Sequence, residues 1–166
     1  MRRGVRIGVD VGRARVGVAR CDRDGLLATP VETIQRASTD VVARLREIAE
    51  ELEAIEAVVG LPISLSGGDT PSTQDARDVA ALLAAALPVR LVDERLSTVT
   101  ASAGMRAAGR SSRQQRSSID QAAAVVILQH ALDSERTAGR APGELLPSRD
   151  DAQGFDDRGE AATRED

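Results

Sequence analysis

What most constrains this chain is the order of its periodicities: three strand-like runs come first, and only afterwards do helical and strand patterns alternate. Between Val5 and Arg20 two apolar runs, VRIGVDV and VGVAR, flank the turn Gly12 to Arg15, and a second turn, Asp22 to Gly25, precedes LLATPVETI. Three short strands in a meander fit that spacing. Ser38, Thr39 and Asp40 offer an N-cap to a helix whose apolar positions Val42, Leu45, Ile48, Ala49 and Leu52 recur with helical spacing. Ala57 to Gly60 reads as a short buried strand. Thr70 and Pro71 open a second helix that stops by Pro88, and Val89 to Val92 gives a fifth strand. Ser97 or Thr98 caps a third helix to about Ala108, and Ser118 with Gln121 forms a capping box for the last one. The order βββαβαβαα predicts an α/β fold. Its sheet is mixed and five-stranded, with three antiparallel meander strands, two parallel strands reached by right-handed crossovers, and helices on both faces.

A chain of 166 residues fits one domain. From Gly139 onward Gly, Pro and acidic residues dominate without periodicity, so a domain over 1–138 with a disordered acidic tail over 139–166 is expected. The formal net charge of −4 resides in that tail: residues 148–166 hold seven acids and three arginines, while the remaining body has 19 arginines against 19 acids. Nucleic-acid binding would therefore need a local basic patch, since the body has no overall positive field. The lone Cys21 can form no intrachain disulfide, and no apolar run approaches the roughly 18 residues of a membrane span, so a cytoplasmic protein without a membrane partner is expected. Phe155 is the only aromatic residue, which excludes the stacking platforms of many single-strand binders.

Against this background three acidic signatures stand out. Asp10 lies at the end of VRIGVDV, Asp93 and Glu94 close VRLVDE, and Asp120 opens IDQAAAVVILQ. Ligands of open α/β sheets collect beyond the carboxyl ends of parallel strands, where the first two signatures fall. Asp120 would sit in the first turn of the last helix, with Ala123, Ala124, Ile127 and Ala131 pressing its apolar stripe onto the sheet and carrying the acid toward the others. Gathered oxygens of this kind suit a hard divalent cation, Mg²⁺ or Mn²⁺, and two such cations would support in-line displacement at a phosphodiester. Asp93 and Glu94 cannot both face the same side if the strand runs through them, so one would be a ligand and the other its support. The spacing leaves the choice open.

Basic residues flank these acids. Arg106, Arg110, Arg113 and Arg116 occupy an acid-free stretch leading into Asp120, and Arg13 and Arg15 lie in the turn after Asp10. Together they could line a phosphate backbone. His130, the sole histidine, falls in mid-helix and offers no catalytic set. Asp10-Val11-Gly12 with Gly17 is also similar to the first phosphate loop of actin-like ATPases, but those need two such domains around a nucleotide.

Taken together, GVDVGRARVGVA, VVGLPISLSG, VDERLST and IDQAAAVVILQ resemble the YqgF family of RuvX-like Holliday junction resolvases, from about Gly4 to Leu132. The resemblance implies an RNase H-like fold and a nuclease that processes the 5′ end of precursor 16S ribosomal RNA. It also implies Asp10, Glu94 and Asp120 as the metal-binding acids, with Asp93 adjacent and Arg95 a phosphate contact. After Gly12 the chain departs from the family pattern, placing Arg13 and Ala14 where a small hydroxyl residue and a basic one are usual. Structured RNA is the expected partner. Branched DNA is the rival substrate, and its paired cuts would require a homodimer. A nucleic-acid-binding or ribosome assembly factor that keeps the fold without cutting is the rival from another class.

Overall fold

The computed structural model describes residues 1–94 and 112–148, and for 112–119 the backbone only. In chain order the elements are β1 (Arg6–Val11), β2 (Arg15–Cys21), β3 (Ala28–Gln35), α1 (Val41–Glu51), β4 (Glu56–Leu61), α2 (Pro71–Leu83), β5 (Val89–Asp93), α3 (Ser112–Ala138) and β6 (Glu144–Leu146). Helix starts follow the local chemistry. Asp40 caps α1 by accepting from the Ala43 amide at 3.1 Å, and Thr70 and Thr73 form a reciprocal capping box with Pro71 in the first turn of α2.

The strands form one sheet in the order β3-β2-β1-β4-β5-β6. β1, β2 and β3 make the antiparallel meander, whereas β1, β4 and β5 run parallel. Alternation along the strands sorts the core into two layers. Ile7, Val9, Val11, Val16, Val18, Val59 and Leu91 face α1 and α2. Ala19, Cys21, Val58 and Val92 face the buried stripe Ala124, Ile127, Leu128 and Ala131 of α3. Helices thus cover both faces.

The sheet has six strands where five were expected. The sixth, β6, pairs antiparallel with β5 through Leu145 opposite Arg90. Its three residues are too few to show a period in sequence, and what enables them is Gly143, whose φ of +78° turns the chain where a Cβ would strike the Leu91 carbonyl. A second correction concerns α3, which already runs at Ser112, so Ser118 and Gln121 are not its capping box. Gln121 instead donates from its side-chain amide to Thr33 Oγ1 at 3.0 Å, tying α3 to β3. The helix expected over about 97–108 and residues 149–166 of the tail lie outside the described residues. Among the described residues no helix is long and apolar enough to cross a membrane.

An ionic network pins the end of the sheet remote from Asp10. Arg2 bridges Glu56 at 3.0 Å and Glu135 at 2.9 Å, Arg90 meets Glu56 at 3.0 Å, and Arg6, only 1% exposed, reaches Glu135 at 3.4 Å. It joins the starts of β1, β4 and β5 to the last turns of α3. The opposite edge is left free to carry the acids.

Candidate functional site

The strand pattern settles which of the middle acids faces the helix. β5 continues through Asp93, so with Val92 turned toward α3, Asp93 points to the other side and is exposed, whereas Glu94 returns to the α3 side and is 8% exposed. The Glu94 amide donates to the Leu61 carbonyl at 3.2 Å, holding the residue against the end of β4. On β1 the same alternation turns Arg6, Gly8 and Asp10 toward α3, since Ile7, Val9 and Val11 fill the other layer.

Asp10 and Glu94 belong to strands that are not neighbours, because β4 lies between them. They nevertheless come within hydrogen-bonding reach of one another. Gly60 of β4 makes this possible. A Cβ there would collide with Glu94 Oε2 and would lie 2.6 Å from Ile127 Cδ1, so the missing side chain is the channel through which Glu94 crosses β4 toward Asp10.

The electrostatics follow from that enclosure. Burial, then the charge of Asp10 and the hydrogen bond with it, push the Glu94 carboxyl up to about 8. Burial is also the chief cause that raises Asp10 to about 6, opposed by its bond to Glu94 and reinforced by the nearby charge of Asp120. At neutral pH the pair therefore holds one proton between two carboxyl groups. Glu94 Oε2 is buried and has no hydrogen-bond partner among the described residues. A buried, unsatisfied carboxyl oxygen beside a second, half-buried carboxyl group is a donor set that a hard divalent cation fits.

Asp120 reaches this edge on α3, more than two turns inside the helix and not in its first turn. The helix macrodipole, which favours acids at a helix start, therefore does not account for it. Its position depends on Gly17, which pairs with Asp10 across β1 and β2 and whose absent Cβ would strike the Asp120 carbonyl. Gly8 does the same farther along α3, where a Cβ would lie 2.7 Å from Leu128 Cβ. The close approach that the alanines of α3 suggested is thus completed by glycines of the sheet. The Asp120 carboxylate is engaged by Arg15, whose Nε donates to Oδ2 at 2.7 Å. Among the described residues no three acidic, histidine or cysteine side chains form a group that could hold a cation together.

Other candidates distribute unevenly around this centre. Arg13 is exposed in the β1–β2 turn. Arg113 and Arg116 lie on the first turns of α3, with only their backbone described, and Arg95, Arg106 and Arg110 lie outside the described residues. His130 is exposed. Sequence reasoning missed Gly60 and Gly17 as makers of the site, although an isolated glycine inside a strand pattern is a signal of close approach. It also missed Arg36, which donates to the Gly12 carbonyl at 2.8 Å and pairs with Asp75 of α2 at 2.6 Å, fastening the β1–β2 turn to the opposite helix layer.

The chain is similar to known proteins in sequence and in fold. Residues 4–134 match the model of a family described as RuvX, Holliday junction resolvase. A protein of Streptomyces avermitilis named "Putative pre-16S rRNA nuclease" is 59% identical over 150 residues, covering 87% of this chain and 95% of its own length. A protein of the same name from Clavibacter michiganensis subsp. michiganensis is 57% identical over 151 residues, covering 89% and 94%. The fold is that of Thermus thermophilus RuvC, solved in complex with a Holliday junction substrate: the TM-score is 0.53 at 17% identity, over 85% of this chain and 99% of that one. By these matches the chain belongs to the RuvX family.

Proposed function

We propose that this nuclease is a divalent-cation-dependent endonuclease that acts on structured RNA, at the 5′ end of precursor 16S ribosomal RNA. The observation that carries the proposal is the Asp10–Glu94 pair, a half-buried and a buried carboxyl group brought together across a glycine at the carboxyl ends of parallel strands. A site that retains a proton at neutral pH for want of a counter-charge gains most from a cation. Asp10 and Glu94 are the residues that would hold Mg²⁺ or Mn²⁺, with Asp120 as the third ligand. Bound there, the cation would supply activated water and neutralise charge on the attacking and leaving oxygens. The chain's own part is to fix the oxygens before the substrate arrives. The ladder of β1 holds Asp10, the bond to Leu61 holds Glu94, and the glycine contacts of α3 hold Asp120. Arg13 and Arg15 at the adjacent turn, with Arg95, Arg110, Arg113 and Arg116, supply the cations that track a phosphate backbone.

The choice of RNA is supported by the names of the relatives, whereas the family description supports a second reading, resolution of branched DNA. Labelled precursor 16S RNA and a four-way DNA junction, incubated side by side with Mg²⁺ and with Mn²⁺, separate the two. The proposal expects the RNA to be cut near its mature 5′ end and the junction to survive. Junction cutting with intact RNA would replace the proposal with the second reading, and the absence of any cut would favour a binding factor.

A further inference from the structure

The three acids are not equivalent in this structure: Glu94 reaches past Gly60 toward Asp10, whereas Asp120 is bonded to an arginine. Arg15, the first residue of β2, donates from Nε to Asp120 Oδ2 at 2.7 Å. The two side chains are 25% and 18% exposed, so the contact is largely shielded from water. Both ends are anchored by packing. Arg15 pairs with Gln35 in the β2–β3 ladder, and the contact of α3 with Gly17, two residues on, fixes the height of Asp120 above the sheet. The pair stands close to the carboxyl centre, since the charge of Asp120 is felt at Asp10. Among the described residues the terminal nitrogens of Arg15 have no acceptor, and it is these that fork around a phosphate.

We infer that Arg15 is a positioning residue that exchanges partners: it holds Asp120 until a divalent cation enters, then releases that carboxylate to the cation and turns its guanidinium to the scissile-strand phosphate. This rests on the cation reading of the site. A cation held by Asp10 and Glu94 brings two positive charges next to a guanidinium already bonded to the third carboxylate, so each weakens the other's hold on Asp120. Competition for one carboxylate becomes cooperation between two ligands. Whatever draws Arg15 away, a phosphate above all, tightens the cation, and by linkage the cation tightens the phosphate to the same degree. The arrangement keeps the third acid neutralised while no cation is bound.

The test is Mn²⁺ binding to the full chain without nucleic acid, followed by calorimetry or by loss of the free-ion spin resonance signal. Arg15→Gln removes the competing charge and is expected to bind Mn²⁺ about tenfold tighter than the unaltered chain, the order of a shielded ion pair. Adding Asp120→Asn to Arg15→Gln abolishes that gain, because the freed carboxylate is what the cation takes. Arg15→Lys keeps the charge without the fixed Nε and shows a smaller gain, and it decides the matter if Arg15→Gln does not fold. If Arg15→Gln binds Mn²⁺ no tighter, or more weakly, while Asp10→Asn still abolishes binding, the exchange is wrong and the cation site stands. If neither the unaltered chain nor Arg15→Gln binds Mn²⁺, the cation site itself is wrong and the exchange falls with it.

Discussion

Replacing Glu94 by glutamine should stabilise the cation-free protein above neutral pH. An unfolded glutamate ionises near 4.5, whereas in the fold Glu94 keeps its proton to about 8. The sign follows from linkage. A carboxyl group whose folded pKa is raised contributes fully at or below its unfolded pKa, and that contribution is lost as pH rises through the folded value. The loss thus falls between about pH 4.5 and 8, with Asp10, raised to about 6, adding in the same direction over the lower part. At about 1.36 kcal/mol per pH unit the interval corresponds to on the order of 4 kcal/mol for Glu94, to which Asp10 adds. The amide introduced by Glu94→Gln keeps the shape of the carboxyl group and can donate to Asp10 but carries no charge. Denaturant unfolding in EDTA, followed by far-ultraviolet circular dichroism because the chain lacks Trp and Tyr, measures the difference at pH 5 and pH 8. The unaltered protein should lose stability over that interval, and Glu94→Gln should remove most of that loss. Equal pH slopes in the two proteins would refute the claim that Glu94 is buried against Asp10.

Gly60→Ala places a methyl group against Glu94 Oε2 and Ile127 Cδ1; it should cost about 1–3 kcal/mol and slow cleavage more than about tenfold, and an unchanged rate would show that Glu94 need not cross β4. Glu135→Ala leaves Arg6 buried with its carboxylate partner gone, so thermal unfolding should report a loss of about 3 kcal/mol, with the cleavage rate of the folded fraction intact because the network lies far from Asp10. Arg36→Ala should cost less than about 1 kcal/mol at neutral pH, since the pair is part-exposed. Arg36 holds the Asp75 carboxyl below its usual range, so this contribution is present above the ordinary aspartate value near 3.8 and fades as pH falls below it, a convergence that acid titrations of the two proteins would show.

The meander, the parallel pair and two of the helix caps were legible because each is encoded locally, in period and in cap chemistry. Asp40 and Thr70 are caps by residue type alone. The pairing of Asp10 with Glu94 was legible only as far as the carboxyl ends of strands, because its enabling residue belongs to neither acid's own segment: Gly60 acts by lacking a side chain. The choice between Asp93 and Glu94 needed the end of β5, and a shift of one residue there would have reversed the faces. Asp120 was placed in a first helical turn because Ser118 and Gln121 mimic a capping box, and Gln121 turned out to serve β3 instead. β6 left no readable trace, since three residues cannot display a period and the turn at Gly143 is shaped by contact with Leu91. Contacts between remote segments, Arg15 with Asp120 and Arg36 with Asp75, are tertiary by nature and have no local signature.

We propose that the carboxyl pair facing α3, and not the acid beside it, performs the chemistry. Single-turnover cleavage of precursor 16S RNA by Asp10→Asn, Glu94→Gln and Asp93→Asn, all shown to be folded, tests it most directly. The account predicts that Asp10→Asn and Glu94→Gln each lose at least about a hundredfold in rate while Asp93→Asn stays within a few-fold of the unaltered enzyme. Cleavage that survives Asp10→Asn, or that Asp93→Asn damages more than Glu94→Gln does, would contradict it.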